Sequence, residues 1–180
     1  LVYEDGAILR GLLGGLNMQA DLAQTVILRT GEEDFHHLLD DPQDVSKNYI
    51  DYGFLQTNVS AVGTMFKLVD GEDFVRRTAY RPFPAGTLTA AFRYRDELAG
   101  GERCLRIAFS GGRWAVADAD AAADVTVTCR QGDLASLLMG SCQLEGMLRL
   151  GAASADNGEA AQQLSRLLHY GQKPWLNSDY

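Results

Sequence analysis

The tail of this 180-residue chain, Lys173-Pro174-Trp175-Leu176-Asn177-Ser178-Asp179-Tyr180, holds the residues best suited to chemistry. It has no periodicity, yet it carries two large aromatic side chains, which gain by docking on a surface rather than standing in water. A terminal α-carboxylate joined to an aromatic anchor can be delivered into a neighbouring cleft. There it serves as a base toward an attacking amine or a bound water. The bland alternative is a packed or frayed tail.

Other candidates fall to structural readings. His36 and His37 are adjacent on an expected helix, point about 100° apart and cannot grip one metal from one face. Asp34, Asp40 and Asp41 add charge without a ligand pattern, so a solvated helix end is expected and no metal. His169, late in the last expected helix, meets the helix dipole favourably. Asp118 and Asp120 sit in an Ala-rich acidic loop, which supplies none of the burial that drives two carboxylate pKa values apart. Ser110 and Ser141 flank glycines in turns, and no GxSxG elbow occurs. The pairs Gly14-Gly15, Gly100-Gly101 and Gly111-Gly112 fall in a helix, a loop and a hairpin turn. None follows a strand and opens a helix, so none cradles a phosphate. Cys104, Cys129 and Cys142 are odd in number without CxxC spacing, as for reduced thiols in a cytoplasmic protein. Asn58-Val59-Ser60 is a formal glycosylation sequon without meaning in that compartment.

Composition narrows the class. Hydrophobic residues make up 46% and charged residues 22%, as in ordinary globular domains. A net charge of −8 argues against nucleic acid as a partner, and acidity is first of all a solubility device. No apolar run approaches the ~20 residues of a membrane span. No secretory signal is visible. A start at Leu1 without Met reads as the beginning of a fragment.

The elements that must position these residues follow from periodicity. Leu1–Tyr3 read as a strand end, Ala7–Leu22 as a glycine-weakened helix, Thr25–Leu28 as a short buried strand, and Glu32–Leu39 as a helix capped by Thr30 and stopped at Asp41-Pro42. The glycines of the first helix are compatible with close packing on a sheet. Gln43–Gly63 reads as irregular. Met65–Val69 is expected as a strand and Gly71–Tyr80 as a helix. Leu88–Tyr94, Leu105–Phe109 and Trp114–Val116 alternate with period two, with Ser110-Gly111-Gly112 as a tight turn. Val125, Val127 and Cys129 form one more strand, with Cys129 a small core residue. Asp133 is expected to cap Leu134–Met139, Met147–Leu150 to form a strand, and Gly158–His169 to form the last helix. This predicts an α+β fold with an antiparallel sheet that leaves one face wet.

The segments MFKLVDGEDFVRR, DVTVTCRQGDLASLLMG and KPWLNSDY, all within residues 64–180, resemble the C-terminal sterol-carrier-like domain of the GNAT N-acetyltransferases of the enhanced intracellular survival family. The segment QADLAQTVILRTGEEDFHHLLDDP resembles the later half of that family's central GNAT-like domain, which assigns residues 1–63 to a partial α/β segment. The resemblance implies the C-terminal portion of an acetyl-CoA-dependent enzyme acting on an amine-bearing small molecule or peptide. Acetyl-CoA would bind outside this chain, on an N-terminal GNAT domain that would be its partner, and a homo-oligomer is compatible. Family members use the terminal carboxylate, usually on Phe, as the catalytic base, and an acidic residue just before it to hold the cationic substrate. The matching positions here are Tyr180 and Asp179. True sterol carriers instead hold an apolar ligand between sheet and helices, where Leu88, Phe92, Phe109, Leu134, Leu138 and Leu164 would line a tunnel or simply fill a core. A purely structural role in oligomer assembly is a third reading.

Overall fold

Strand β3 (Leu88–Arg95), the third in chain order, shows how alternation builds this fold. Leu88, Ala90 and Phe92 are buried on one side, whereas Arg93 and Arg95 are exposed on the other. The computed structural model describes residues 3, 5–33, 35–50, 53–60, 65–97, 99–169, 171 and 173–174, with backbone alone at 49 and 50. These fall into two compact units, one ending at Gly63 and one over Thr64–Pro174.

In the second unit, β4 (Glu102–Ser110) pairs antiparallel with β3 and sets Phe109 opposite Leu88, Ile107 opposite Ala90 and Leu105 opposite Phe92. Gly111 and Gly112, at φ 58° and 70°, make the two-residue left-handed turn that returns the chain into β5 (Arg113–Val116). Trp114 thereby lands opposite Phe109. On the free edge of β3 lies β6 (Val125–Cys129), followed outward by β7 (Ala153–Ala155), for the order β5-β4-β3-β6-β7.

The α+β architecture is the expected one, with one difference in the sheet. β6 runs parallel to β3, because the chain completes the β4–β5 hairpin before re-entering on the opposite edge of β3. Asp124 and Asp156 secure these added strands by the same device. Asp124 accepts from the Thr89 N–H at 2.7 Å and donates its own N–H to the Thr89 carbonyl. Asp156 does both with Thr126, and these hydrogen bonds hold its carboxyl below the ordinary range.

Four helices, α2 (Gly71–Arg77), α3 (Gln131–Met139), α4 (Leu144–Arg149) and α5 (Gly158–Leu167), complete the unit, and their apolar residues join the sheet's buried side chains in one core. α2 starts on the Asp70 side chain, and a Cβ at Gly71 would sit 2.9 Å from Leu105, so glycine lets this helix approach β4. The turn that follows it is held from β5: Trp114 Nε1 donates to the Thr78 carbonyl at 3.0 Å and Arg113 to that of Tyr80. Buried Gln131 links three segments, donating to the Leu68 carbonyl at 2.8 Å and accepting from the Glu97 N–H at 2.9 Å.

Several expectations are corrected. Residues 65–69 form no strand; Leu68 is buried and its carbonyl goes to Gln131 instead of a ladder. Met147–Leu150 is not a strand but largely the end of helix α4, whose buried Leu144 and Met147 are spaced three apart. Asp133 does not cap α3, which begins two residues earlier; its carboxylate pairs with Arg130 at 2.7 Å within the first turn. Gly140, at φ 86°, ends that helix.

The first unit contains α1 (Gly6–Asn17), capped by Asp5, which accepts from the Ala7 and Ile8 N–H groups at 2.8 Å. A Cβ at Gly11, Gly14 or Gly15 would meet nothing within 4 Å, so these glycines do not mark close packing. Thr25–Leu28 is not a buried strand, for Ile27 is 84% exposed and no ladder partner exists among the described residues. The expected second helix shrinks to a 3₁₀ turn at Phe35–Leu38, although Thr30 does accept from the Glu32 N–H. Within the stretch expected to be irregular, β1 (Tyr49–Ile50) and β2 (Phe54–Leu55) form a small hairpin, braced where Gln56 donates to Asp44 at 2.8 Å. The expected strand end at Leu1–Tyr3 lies outside the described residues apart from Tyr3, which is not in a strand.

Removing the Phe92 ring should cost about 3–5 kcal/mol in urea denaturation. Gln131→Leu should cost about 1–3 kcal/mol by leaving the Leu68 carbonyl unpaired. A loss below about 1 kcal/mol for Phe92→Ala would mean that the core is not packed as described.

Candidate functional site

Asp179 and Tyr180, the two site residues expected from sequence, lie outside the described residues. The six residues considered for a ligand tunnel are all described. Phe92, Leu134, Leu138 and Leu164 are 0% exposed, Phe109 1% and Leu88 2%. A side chain lining a void large enough for water would retain accessible area toward it. These six therefore meet protein atoms on all sides and fill the space between sheet and helices. Rings complete the filling on the β5 side, where Phe83 stands edge-on to Phe109 at 5.5 Å and close to Trp114 at 4.7 Å.

The polar candidates separate in space and chemistry. His36 and His37 lie on the 3₁₀ turn with ring centroids 4.1 Å apart, and among the described residues no group of three or more His, Cys, Asp or Glu could hold a metal ion. Asp118 and Asp120 are exposed in the loop between β5 and β6. A shallow cleft of about 230 Å³ is lined by Thr87, Asp124, Asn157, Glu159, Ala160 and Gln163. Sequence reading did not single it out, and its side chains serve the backbone. Asp124 binds the Thr89 N–H, Asn157 binds Ala160 and the Asp124 carbonyl, and Gln163 donates to the Thr87 carbonyl.

None of the three glycine pairs follows a strand and opens a helix, the arrangement that cradles a phosphate. Gly14-Gly15 lie inside α1, Gly100-Gly101 in the β3–β4 turn and Gly111-Gly112 in the β4–β5 turn. The strand-to-helix junction at Arg130 carries Asp133 in the helix's first turn, which opposes a phosphate there. No helix among the described residues is long and apolar enough to cross a membrane.

The three thiols differ. Cys129 joins the core edge as expected, and burial, helped by Asp133 and Cys142, pushes its pKa up to about 11. Cys142 is also raised, chiefly by burial, with its sulfur 3.4 Å from that of Met147. Cys104 is exposed on β4. A raised pKa keeps a thiol protonated and unreactive at neutral pH. Iodoacetamide at pH 7.5 should therefore modify Cys104 first by mass spectrometry, with Cys129 protected until denaturation or strongly alkaline pH. Equal rates at all three would contradict the burial described.

Remote likenesses exist among solved structures. A TM-score of 0.45 with 17% identity relates the chain to Eis1 from Mycobacterium abscessus, covering 60% of this chain and 26% of that one. A probable N-acyltransferase from Enterococcus faecalis gives 0.44 at 19% identity, covering 57% and 25%. Sterol carrier protein 2 from Yarrowia lipolytica gives 0.36 at 14% identity, covering 45% and 66%. These likenesses are too remote to carry an argument about activity. The chain spans about a quarter of the length of the first two. No curated protein matches it. The sterol carrier protein domain family, however, matches residues 72–177, which contain the five-stranded sheet and its helices and make up more than half of the sequence, so the chain belongs to that family.

Proposed function

We propose that this chain is the C-terminal, substrate-side portion of a cytoplasmic acetyl-CoA-dependent N-acetyltransferase acting on amines. The observation that carries this reading is the filled core. A sterol-carrier-type unit whose sheet–helix interface is occupied by its own side chains serves as a rigid wall more readily than as a carrier. The first unit supports the same reading. Its described apolar residues Leu22, Ile27 and Val59 are 79%, 84% and 81% exposed, as in half of an α/β domain that is completed elsewhere.

In this reading the acetyl donor is held outside the chain. The side chain of Asp179 attracts a protonated amine. The Tyr180 α-carboxylate then accepts the proton that the nitrogen must shed to become a nucleophile. The aromatic ring fixes the carboxylate in position, so the hydroxyl of Tyr180 has no assigned role.

Family membership favours a second reading, binding of a lipid or other apolar ligand without catalysis. It requires the packed core to open.

The test is an acetylation assay on the intact gene product with acetyl-CoA and a panel of polyamines and amine-bearing peptides. Tyr180→Phe should retain activity, whereas one glycine appended after Tyr180 should lower kcat about 100-fold or more by displacing the carboxylate. Asp179→Asn should act mainly on KM. Full activity of the extended protein would overturn the assignment of the carboxylate, and absence of acetyl transfer to every amine would overturn the enzyme reading.

A further inference from the structure

An asparagine side-chain amide is open to attack by the main-chain nitrogen of the next residue. Glycine favours that attack most, since it has no Cβ to obstruct its own nitrogen and little resistance to the backbone rotation required. Asn17, Asn48, Asn58, Asn157 and Asn177 are the asparagines of this chain, and only Asn157 precedes a glycine.

The fold leaves this pair accessible. Asn157 is the N-cap of α5 and Gly158 its first residue. Both are exposed, Asn157 lines the shallow cleft beside Thr87 and Gln163, and a Cβ at Gly158 would meet nothing within 4 Å. As the first residue of the helix, Gly158 has an N–H outside the helix's own hydrogen-bond ladder. Two contacts restrain the amide: its Oδ1 accepts from the Ala160 N–H at 3.3 Å, and its Nδ2 donates to the Asp124 carbonyl at 3.1 Å. Attack also requires Asn157 to leave its ψ of 108°, a rotation that local opening at a helix end supplies. Negative charge gathers on the amide oxygen as the nitrogen adds, and the positive end of a ten-residue helix favours it there. Asp156 and Glu159, on either side of the pair, oppose that charge and moderate the rate.

We propose that Asn157 is a site of self-modification, in which the Gly158 nitrogen attacks Cγ of Asn157 and closes a succinimide ring. A bond forms between the Gly158 nitrogen and Cγ, the Cγ–Nδ2 bond breaks, and ammonia leaves with the proton that the attacking nitrogen gives up. Water then opens the ring at one of its two carbonyls. Addition at Cγ yields aspartate, and addition at the main-chain carbonyl yields isoaspartate, whose backbone runs through Cβ. Nothing is oxidised or reduced, and water is the only co-reactant. Both products lose the Nδ2 donor to the Asp124 carbonyl and add a carboxylate to a cleft that already holds Asp124 and Glu159. Aspartate keeps an acceptor for the Ala160 N–H. Isoaspartate instead lengthens the main chain between Asp156, which is bonded to Thr126 of β6, and the buried Ala160 and Ala161 of α5.

Peptide mapping of the intact gene product aged in mildly alkaline buffer tests this. Trypsin releases the peptide Leu150–Arg166. Its mass should rise by the difference between a hydroxyl and an amino group, in two chromatographically separate forms, with fragmentation placing the change at Asn157. Gly158→Ala, for which the structure has room, should slow the change at least ~10-fold with unchanged circular dichroism. Asn157→Ser, which keeps a capping oxygen, should abolish it. Asn157 left intact over a period in which the urea-unfolded chain is modified there overturns the proposal, because the cap then protects the amide. An equal rate in Gly158→Ala overturns it as well.

Discussion

Strand β3 must be paired along both edges and covered on one face, and most of Thr64–Pro174 follows from meeting that demand. Its first edge is met at once by β4, and the Gly111-Gly112 turn after β4 returns Trp114 to the same core. Its second edge is met only after the hairpin is complete, which is why the strand filling it runs parallel. The buried face is met by four short helices, none of which has enough apolar surface to be stable alone. Phe92, at the centre of this arrangement, is 0% exposed because every layer converges on it.

This dependence explains what was legible in the sequence. The three strands with strict period two and the glycine turn between the second and third were readable, because alternation states which face is buried and a Gly-Gly pair permits a left-handed turn. The last helix was readable for a similar reason, with Ala161, Leu164, Leu167 and Leu168 at helical spacing, all buried. Short apolar runs were not. Met147–Leu150 fits either period, and only the position of Leu144 three residues upstream decides for a helix. The edge strand Ala153–Ala155 has little strand propensity and forms because the backbone of β6 offers it partners. Thr25–Leu28 shows the converse, since a β-branched run without a neighbour makes no strand.

The candidate site residues were chosen in a different way and lie outside the described residues. Asp179 and Tyr180 stand out through residue type and position, not through any periodicity that fold physics would enforce. The tunnel residues stood out through hydrophobicity, which is common to a ligand-binding wall and to a plain core. Burial separates the two, and side chains with 0–2% exposure belong to a core. A sterol carrier family fold with its interior filled is then free to serve as a wall beside chemistry conducted elsewhere, since function resides in sites placed on folds and not in the folds themselves.

The proposed function rests on an interior filled by its own side chains, and calorimetric titration of the chain with a soluble long-chain fatty acid tests this most directly. The account predicts no saturable heat up to about 100 μM and no change in thermal stability, because ligand entry would require opening a close-packed core. Stoichiometric binding with a Kd near or below about 1 μM, worth about 8 kcal/mol, would contradict it and make the apolar-ligand reading the better one.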